Sequence, residues 1–443
     1  MDWTSFERPT PEWYLDAKFG IFIHWGAYSV PAWAEPIGEL GTIEGDTWFA
    51  HNPYAEWYFN TIRIEGSPAW QHHHEVFGGA PYDDFLDSWR AEKFDADVWA
   101  DLFERVGAKY VIPVTKHHDG IALWDAPGTG TRNTVHRGPR RDIIGEIARA
   151  VRKRNLKFGT YYSGGLDWSV TNLPPHSEFA SGGGDRPNDA AYSMYAYEHC
   201  MDLIERYKPD ILWDDINWPD FSKSAGPEVS HTLASLFSNY YRAVPQGLVN
   251  DRWGVPHHDF ITSEYQMNVE HESRGLFENN RGLGYSFGYN QVEVEEHHMS
   301  VEQVVSHLSD VVSRGGNFLL NVGPMASGEL PQIQLQILEG VAKWMSVNAD
   351  AIHGTRALKQ LSPVGSKNRE ELPWVRFTGK DERIFAILKG AASVEFELPQ
   401  GTVRDDSARV LGSGQAMLSR KGDLVSIKLP KEAENLPIVV EFQ

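Results

Sequence analysis

Along roughly the first 340 residues, short apolar runs alternate with stretches of helical spacing. GIFIHWG, from Gly20 to Gly26, reads as a buried strand. The segment from Phe94 is apolar at Phe94, Val98, Leu102 and Val106, which is a helical repeat. KYVIPVTKHHDG, from Lys109 to Gly120, is the next strand. Asp142 stands as N-cap before Ile143, Ile147 and Val151, and that helix leads into the strand LKFGTYYSGG. A helix over Met194 to Tyr207 precedes DILWDDINW, Asp210 to Trp218. Another from Val229 precedes GLVNDRWG, and FITSEY and GYSFGY read as short strands. Ser300 and Gln303 form a capping box for a helix ending at Gly315–Gly316. FLLNVGP, Phe318 to Pro324, is the last strand of this kind, and a helix follows from Ile333 to Asn348.

Strand–helix alternation implies a mainly parallel sheet, and eight strand candidates imply a closed (β/α)8-type barrel. The stretch between Glu264 and Tyr285 offers no clear helix, so the barrel is expected to be irregular there. After His353–Gly354 the pattern changes. WVRFTG, RIFAILKG, SVEFELP, SARVLG, LVSIKLP and IVVEFQ alternate with turns and no helix, which reads as an antiparallel β-sandwich. The expected division is therefore an α/β barrel over residues 1–354 and a sandwich over 355–443. The polar stretch SGGGDRPNDA, Ser181 to Ala190, reads as a loop on the barrel rim.

Composition narrows the function classes. A net charge of −20 disfavours nucleic acid and anionic membranes, which need a positive surface. The single cysteine, Cys200, excludes an intrachain disulfide and sits at a helical position suited to a small buried residue. MDWTSFERPTPEWY has no basic-then-apolar signal, and no run of 18 apolar residues occurs, so a soluble, cytoplasmic protein is expected. Sixteen tryptophans exceed what a core needs and suit stacking on a sugar ring.

A parallel barrel carries its active site at the C-terminal ends of its strands. There the sequence places His24, Lys116, His117, His118, Asp119, Tyr161, Tyr162, Asp214, Asp215, Asn250, Asp251, Arg252, Glu264 and Asn321, interleaved with Trp25, Trp168, Trp213, Trp218 and Trp253. Carboxylates and histidines among tryptophans suit glycoside cleavage, in which one carboxylate attacks or activates and another protonates the leaving oxygen. In DILWDDINW, strand alternation puts Trp213 and Asp215 on one face and Asp214 on the other. A tryptophan beside a carboxylate favours Asp215 for the pocket, against a helix-capping role for either aspartate. His117 and His118 as neighbours on a strand should point to opposite faces, which argues against a shared metal ion. The tract His72 to His74 and the pair His297–His298 read as solvated surface. The sequence has no HExxH helix, cysteine pair, GxSxG elbow or P-loop, and no metal is expected.

Seven stretches then carry a family resemblance: KFGIFIHWG from Lys18, AEWY from Ala55, YVIPVTKHHDG from Tyr110, KFGTYYSGGLDW from Lys157, YKPDILWDDINWP from Tyr207, VNDRWG from Val249 and GGNFLLNVGP from Gly315. In order and content they resemble the α-L-fucosidases of glycoside hydrolase family 29, over residues 10 to about 355. The resemblance implies a retaining exo-α-L-fucosidase that needs no cofactor and acts on fucosylated oligosaccharides or glycoconjugates. It implies Asp215 as nucleophile, in agreement with the strand parity. It implies His24, Glu56, Trp57, His117, His118, Tyr161 (with Tyr162 as rival), Trp213, Arg252 and Phe287 as substrate-binding residues, Phe287 and the tryptophans walling the C5 methyl. The context TSEY implies Glu264 as acid/base, with Glu278 in LFENN as the alternative. Glu278 lies between turn-prone residues and reads as a loop position. A related retaining glycosidase such as an α-L-galactosidase, an inactive carbohydrate-binding protein and a histidine-based metal hydrolase are the competing readings.

Overall fold

The computed structural model describes residues 2–442 apart from 46, 171, 179–183, 225–228, 267–274, 366–371, 391–392, 404–407 and 430–434. Eight parallel strands form its central sheet: β1 (Phe19–Ile23), β2 (Tyr110–Lys116), β3 (Lys157–Ser163), β4 (Ile211–Asp215), β5 (Leu248–Val249), β6 (Ile261–Glu264), β7 (Phe277–Gly282) and β8 (Asn317–Val322). Their order is β5-β4-β3-β2-β1-β8-β7-β6. The sheet curls until its edges β5 and β6 approach, yet no strand ladder joins them. Single bonds bridge the seam instead: Asp259 N to the Val249 carbonyl at 2.9 Å, Val249 N to Asp259 Oδ2 at 2.8 Å, and Thr262 N to Asp251 Oδ1 at 3.0 Å.

Alternation along each strand divides the core in two. Phe22, Tyr110, Ile112, Val114, Tyr161, Ile211, Trp213 and Leu319 fill the barrel interior. Ile21, Val111, Phe158, Tyr162, Leu212, Val249, Phe318 and Leu320 face outward against the helices. The longer helices there are α1 (Ala96–Val106), α2 (Ile143–Lys153), α3 (Ala190–Tyr207), α4 (Leu233–Ala243), α5 (Val301–Ser313) and α6 (Gln332–Asn348). Asp142 caps α2, and Ser300 with Gln303 caps α5 reciprocally, as their sequences imply. Cys200 is buried on α3.

Several expectations need correction. The seventh strand is FENNRG rather than GYSFGY, whose residues form the turns beyond it. Glu278 is thus a fully buried strand residue and no loop charge. The strand escaped detection because its inward positions, Glu278 and Asn280, are polar, and outward Asn279 bonds His307 of α5 and Ser263. On α1 the buried stripe runs through Trp99, Leu102, Phe103 and Val106, leaving Val98 exposed. α4 begins only at Leu233, where Thr232 supplies the cap. His72 to His74 lie within a helix, Pro68–Phe77. His73 is buried there, bonded to Tyr58 Oη and the Ala80 carbonyl. The side chain of His298 is likewise covered, against Glu293. Of the loop 181–190, the first three residues fall outside the described set; from its remainder Asp185 pairs with His176, and Arg186 Nε bonds the Gly165 carbonyl.

The C-terminal strands are β9 (Arg356–Ala357), β10 (Trp374–Lys380), β11 (Arg383–Lys389), β12 (Ser393–Glu397), β13 (Ala408–Val410), β14 (Gly414–Gln415), β15 (Met417–Lys421), β16 (Leu424–Lys428) and β17 (Ile438–Phe442). They form two antiparallel sheets, β14-β13-β17-β11-β10-β9 and β12-β16-β15. The larger sheet is buried on both faces. Val375, Phe377, Ala386, Leu388 and Val440 meet Val394, Phe396, Val425 and Ile427 of the smaller sheet. Trp374, Phe385, Ile387 and Val439 point the other way, into the core around α5 and α6. A buried ion pair, Arg376 with Asp310 of α5, and a bond from Trp344 Nε1 to the Pro437 carbonyl tie the layers together.

Candidate active site

The inward-facing side chains at the C-terminal ends of the strands line a pocket of about 230 Å³. That is smaller than the roughly 300–1,000 Å³ typical of drug-sized ligands and suits one sugar ring. β1 delivers Phe22 and, just beyond it, His24; β3 delivers Tyr161; β4 delivers Trp213 and Asp215; β6 delivers Glu264. Glu56, Trp57, His117, His118, Arg252 and Phe287 complete the set expected from sequence.

Asp215 is the most heavily held of these groups. Its Oδ2 accepts from Tyr161 Oη at 2.9 Å, and its Oδ1 accepts from Arg252 Nη1 at 2.9 Å and from Ile216 N at 3.0 Å. His118 Nε2 stands 3.7 Å from Oδ2. Burial alone would raise its pKa, but the Arg252 charge and the hydrogen bonds from Arg252 and Tyr161 outweigh it and hold the carboxyl below its ordinary range. The backbone beyond is unusual: Ile216 and Asn217 both have left-handed torsions, φ 58° and 68°. A β-branched residue rarely adopts this conformation, and the strain aims Ile216 N at the carboxylate. Gly165 packs against this turn so tightly that a Cβ there would lie 1.7 Å from the Ile216 carbonyl oxygen.

Glu264 faces Asp215 across Arg252. Its Oε2 accepts from Arg252 Nη2 at 2.9 Å and its Oε1 from Tyr54 Oη at 2.8 Å. One guanidinium thus bonds both carboxylates, while Arg252 Nε bonds Thr262 and its Cζ lies 4.7 Å from the centroid of the Trp213 ring. Glu278 lies beneath the floor and does not line the pocket. Tyr14, Tyr110 and Trp213 Nε1 donate to it at 3.1, 2.6 and 3.0 Å. Burial lifts its pKa to about 7 despite those bonds.

Neighbours on one strand do separate as alternation demands. Asp214 is outward, its backbone paired with Asn250, and burial followed by the Asp215 charge pushes its carboxyl well up. Tyr162 is outward too, its hydroxyl paired with His199. The same rule misplaces His117 and His118. The register shifts near the end of β2 and the strand stops at Lys116, so both rings line the pocket, 4.1 Å apart. Trp25, Trp218 and Trp253 belong to the outer core, and Trp168 backs Trp57 and His118 without lining the pocket.

The aromatic wall is wider than expected from sequence. Phe287 lies 4.9 Å from the His24 ring and 5.4 Å from Tyr54. Leu40, Trp48, Phe49, Tyr54, His176, Ile216 and Asn280 also line the pocket. Most of them come from the connections before β2 or after β3, including the one-turn helix Thr47–Ala50, where no periodicity announces an inward residue. Glu56 is buried among them and accepts from Gly288 N and Ser286 Oγ at 2.7 and 3.1 Å; burial raises it to about 7.

Residues 1–350 match the α-L-fucosidase family. The chain belongs to that family. An α-L-fucosidase of Dictyostelium discoideum is 31% identical over 97% of this chain and 87% of its own length. The tissue α-L-fucosidase of Homo sapiens is 31% identical over 87% of this chain and 77% of its own. Among solved structures, a Thermotoga maritima α-L-fucosynthase superposes with a TM-score of 0.89, at 43% identity, covering 100% of this chain and 99% of its own. The α-fucosidase of the same organism, in complex with fucose, gives 0.85 at 42% identity, covering 98% and 97%. The curled eight-stranded sheet with its trailing antiparallel sheets is therefore the fold of this glycoside hydrolase family.

Proposed function

We propose that this protein is a retaining exo-α-L-fucosidase in which Asp215 is the nucleophile and Glu264 the acid/base. The observation that carries the reading is the single guanidinium of Arg252 bonding both carboxylates inside a pocket sized for one sugar. Asp215 is kept ionised and oriented by Arg252, Tyr161 and Ile216 N, as attack on the anomeric carbon requires. In the first step its carboxylate displaces the leaving oxygen, which takes the proton of Glu264. In the second, water surrenders a proton to Glu264 and attacks the same carbon, releasing Asp215 as carboxylate. Two inversions give net retention. Glu278 is set aside because three buried donors occupy its oxygens below the pocket floor.

The remaining assignments follow from position. His24, His117, His118, Glu56 and Trp57 surround the sugar hydroxyls, and Phe287 with Phe22 and Trp213 forms an apolar wall for the C5 methyl. The fucose complex of the Thermotoga maritima relative supports this substrate. Terminal α-L-fucosyl groups of oligosaccharides or glycoconjugates are the proposed substrates, and the net charge of −20 disfavours nucleic acid or anionic membranes as partners. We take residues 355–443 as a separate sandwich domain whose larger sheet buttresses α5 and α6. Hydrolysis of an aryl α-L-fucoside followed by proton NMR tests the function. Initial release of α-L-fucose is expected; initial β-L-fucose refutes retention, and cleavage of the α-L-galactoside in preference refutes the substrate.

A further inference from the structure

We propose that Ser163 and Asn321 are positioning residues that lock His118 and His24 as hydrogen-bond acceptors, so that the pocket receives sugar hydroxyls as proton donors. The inference rests on the reading of the pocket as a sugar site, but its geometry stands apart from catalysis. A neutral imidazole has one donor and one acceptor nitrogen, and the bond made by the rear nitrogen decides which is which. Behind His118, Nδ1 lies 2.6 Å from Ser163 Oγ. The one hydroxyl hydrogen of Ser163 goes to the Leu166 carbonyl at 2.7 Å, so toward the ring this oxygen can only accept. Behind His24, Nδ1 lies 2.7 Å from Asn321 Oδ1, while Asn321 Nδ2 donates to the Phe287 carbonyl at 2.6 Å. The amide is thereby oriented with its oxygen toward the ring, and again it can only accept.

Both rings therefore carry their hydrogen on Nδ1 and present the lone pair of Nε2 forward. The two chains have the same construction: a ring just past a strand end, a buried polar side chain on β3 or β8, and a main-chain carbonyl as anchor. Burial keeps both rings neutral, with pKa values lowered to about 3 for His118 and about 4 for His24, against the pull of Asp215. The groups around these rings are Asp215, Arg252, His117 and Tyr161 for His24, and Asp215, Lys116, His24, His176 and the adjacent His117 for His118. His118 Nε2 and Asp215 Oδ2, 3.7 Å apart, are then two acceptors with no proton between them. A sugar hydroxyl there supplies the missing hydrogen, and a deoxy sugar does not. A ring flipped to the other tautomer would offer an N–H to Asp215 and weaken it as a nucleophile.

The experiment uses the full chain labelled with 15N-histidine. Long-range 1H–15N spectra near pH 7 report which ring nitrogen carries the hydrogen. Wild type is expected to show His24 and His118 protonated at Nδ1 alone. Ser163→Ala should release His118 to a mixture or to the Nε2–H form, Asn321→Ala should do the same for His24, and Ser163→Thr should restore the wild-type signal. Kinetically, Ser163→Ala should lower kcat/KM for the fucoside about tenfold or more. That penalty should vanish for the deoxyfucoside lacking the hydroxyl that His118 receives. Protonation at Nε2 in wild type overturns the proposal whether or not the variants fold, as does an unchanged tautomer in Ser163→Ala. If the tautomers are as stated and no fucoside is cleaved, the lock stands and the fucosidase reading fails.

Discussion

Replacing each of the two glutamates that compete for the proton-transfer role separates catalysis from stability. In Glu264→Ala the pocket loses a carboxyl whose partners among the described residues are Tyr54 and Arg252, both of which line the pocket. The fold should persist, and general acid catalysis worth about 10²–10⁴-fold should disappear for poor leaving groups. Activated aryl fucosides should lose far less in their first step, and azide should yield the α-fucosyl azide from the trapped glycosyl-enzyme. Glu278→Ala should behave oppositely. It leaves Tyr14, Tyr110 and Trp213 Nε1 as three buried donors without their acceptor, at roughly 1–3 kcal/mol each. Part is offset, because a carboxyl raised from 4.5 to about 7 costs about 1.4 kcal/mol per unit when ionised at higher pH. A net loss of a few kcal/mol is a large fraction of a typical folding stability of about 5–15 kcal/mol. Glu278→Gln keeps one acceptor oxygen for the two tyrosine hydroxyls, turns its amide N–H2 toward Trp213 Nε1 and removes the charge, so it should lose less stability than Glu278→Ala and serve for kinetics. The assay is kcat/KM across aryl fucosides of graded leaving-group pKa. A steep dependence in Glu278→Gln with a flat one in Glu264→Ala would falsify the assignment.

Other outcomes follow from the same geometry. Asp215→Ala should lower turnover at least about a thousandfold, and added azide should partly restore it as β-fucosyl azide; near-normal activity there with a dead Asp214→Ala would reverse the parity argument. Arg252→Met removes the main group opposing the burial of Asp215, so the acidic limb of the kcat/KM profile should move to higher pH and activity should fall about 10²-fold or more; an unmoved limb refutes the electrostatic role. Thermal stability should peak near pH 6–7. Buried His24, His118, His199 and His353 have lowered values, so the native state binds fewer protons than the unfolded chain below about 6.5, and stability rises with pH there. Buried Glu56, Glu278 and Glu293, raised to about 7, 7 and 8, leave the native state with more protons than the unfolded chain, and stability falls as pH climbs to about 8. Calorimetry across pH 5–9 checks this, and Glu278→Gln should flatten the alkaline fall.

Local chemistry was enough to read much of this protein from its sequence. Strand segments whose inward and outward residues are both apolar, such as β1 and the Phe318–Leu320 run of β8, announce themselves as continuous runs, and caps such as Asp142 or Ser300 with Gln303 are satisfied within four residues. The period of two along β4 suffices to send Asp215 inward and Asp214 outward. What the tertiary structure alone decided depends on partners far away in the chain. FENNRG is a strand because Tyr14, Tyr110, Trp213 and His307 satisfy its polar side chains, and no local pattern encodes distant donors. His117 and His118 share the pocket because the chain leaves strand geometry at Lys116. Trp48 and Phe49, on the single helical turn Thr47–Ala50, and Tyr54 just beyond it reach the pocket from a connection too short to show periodicity. The separation of Glu264 from Glu278 is a difference in depth along neighbouring strands, β6 and β7, visible only once the curled sheet gives the barrel a floor and a mouth.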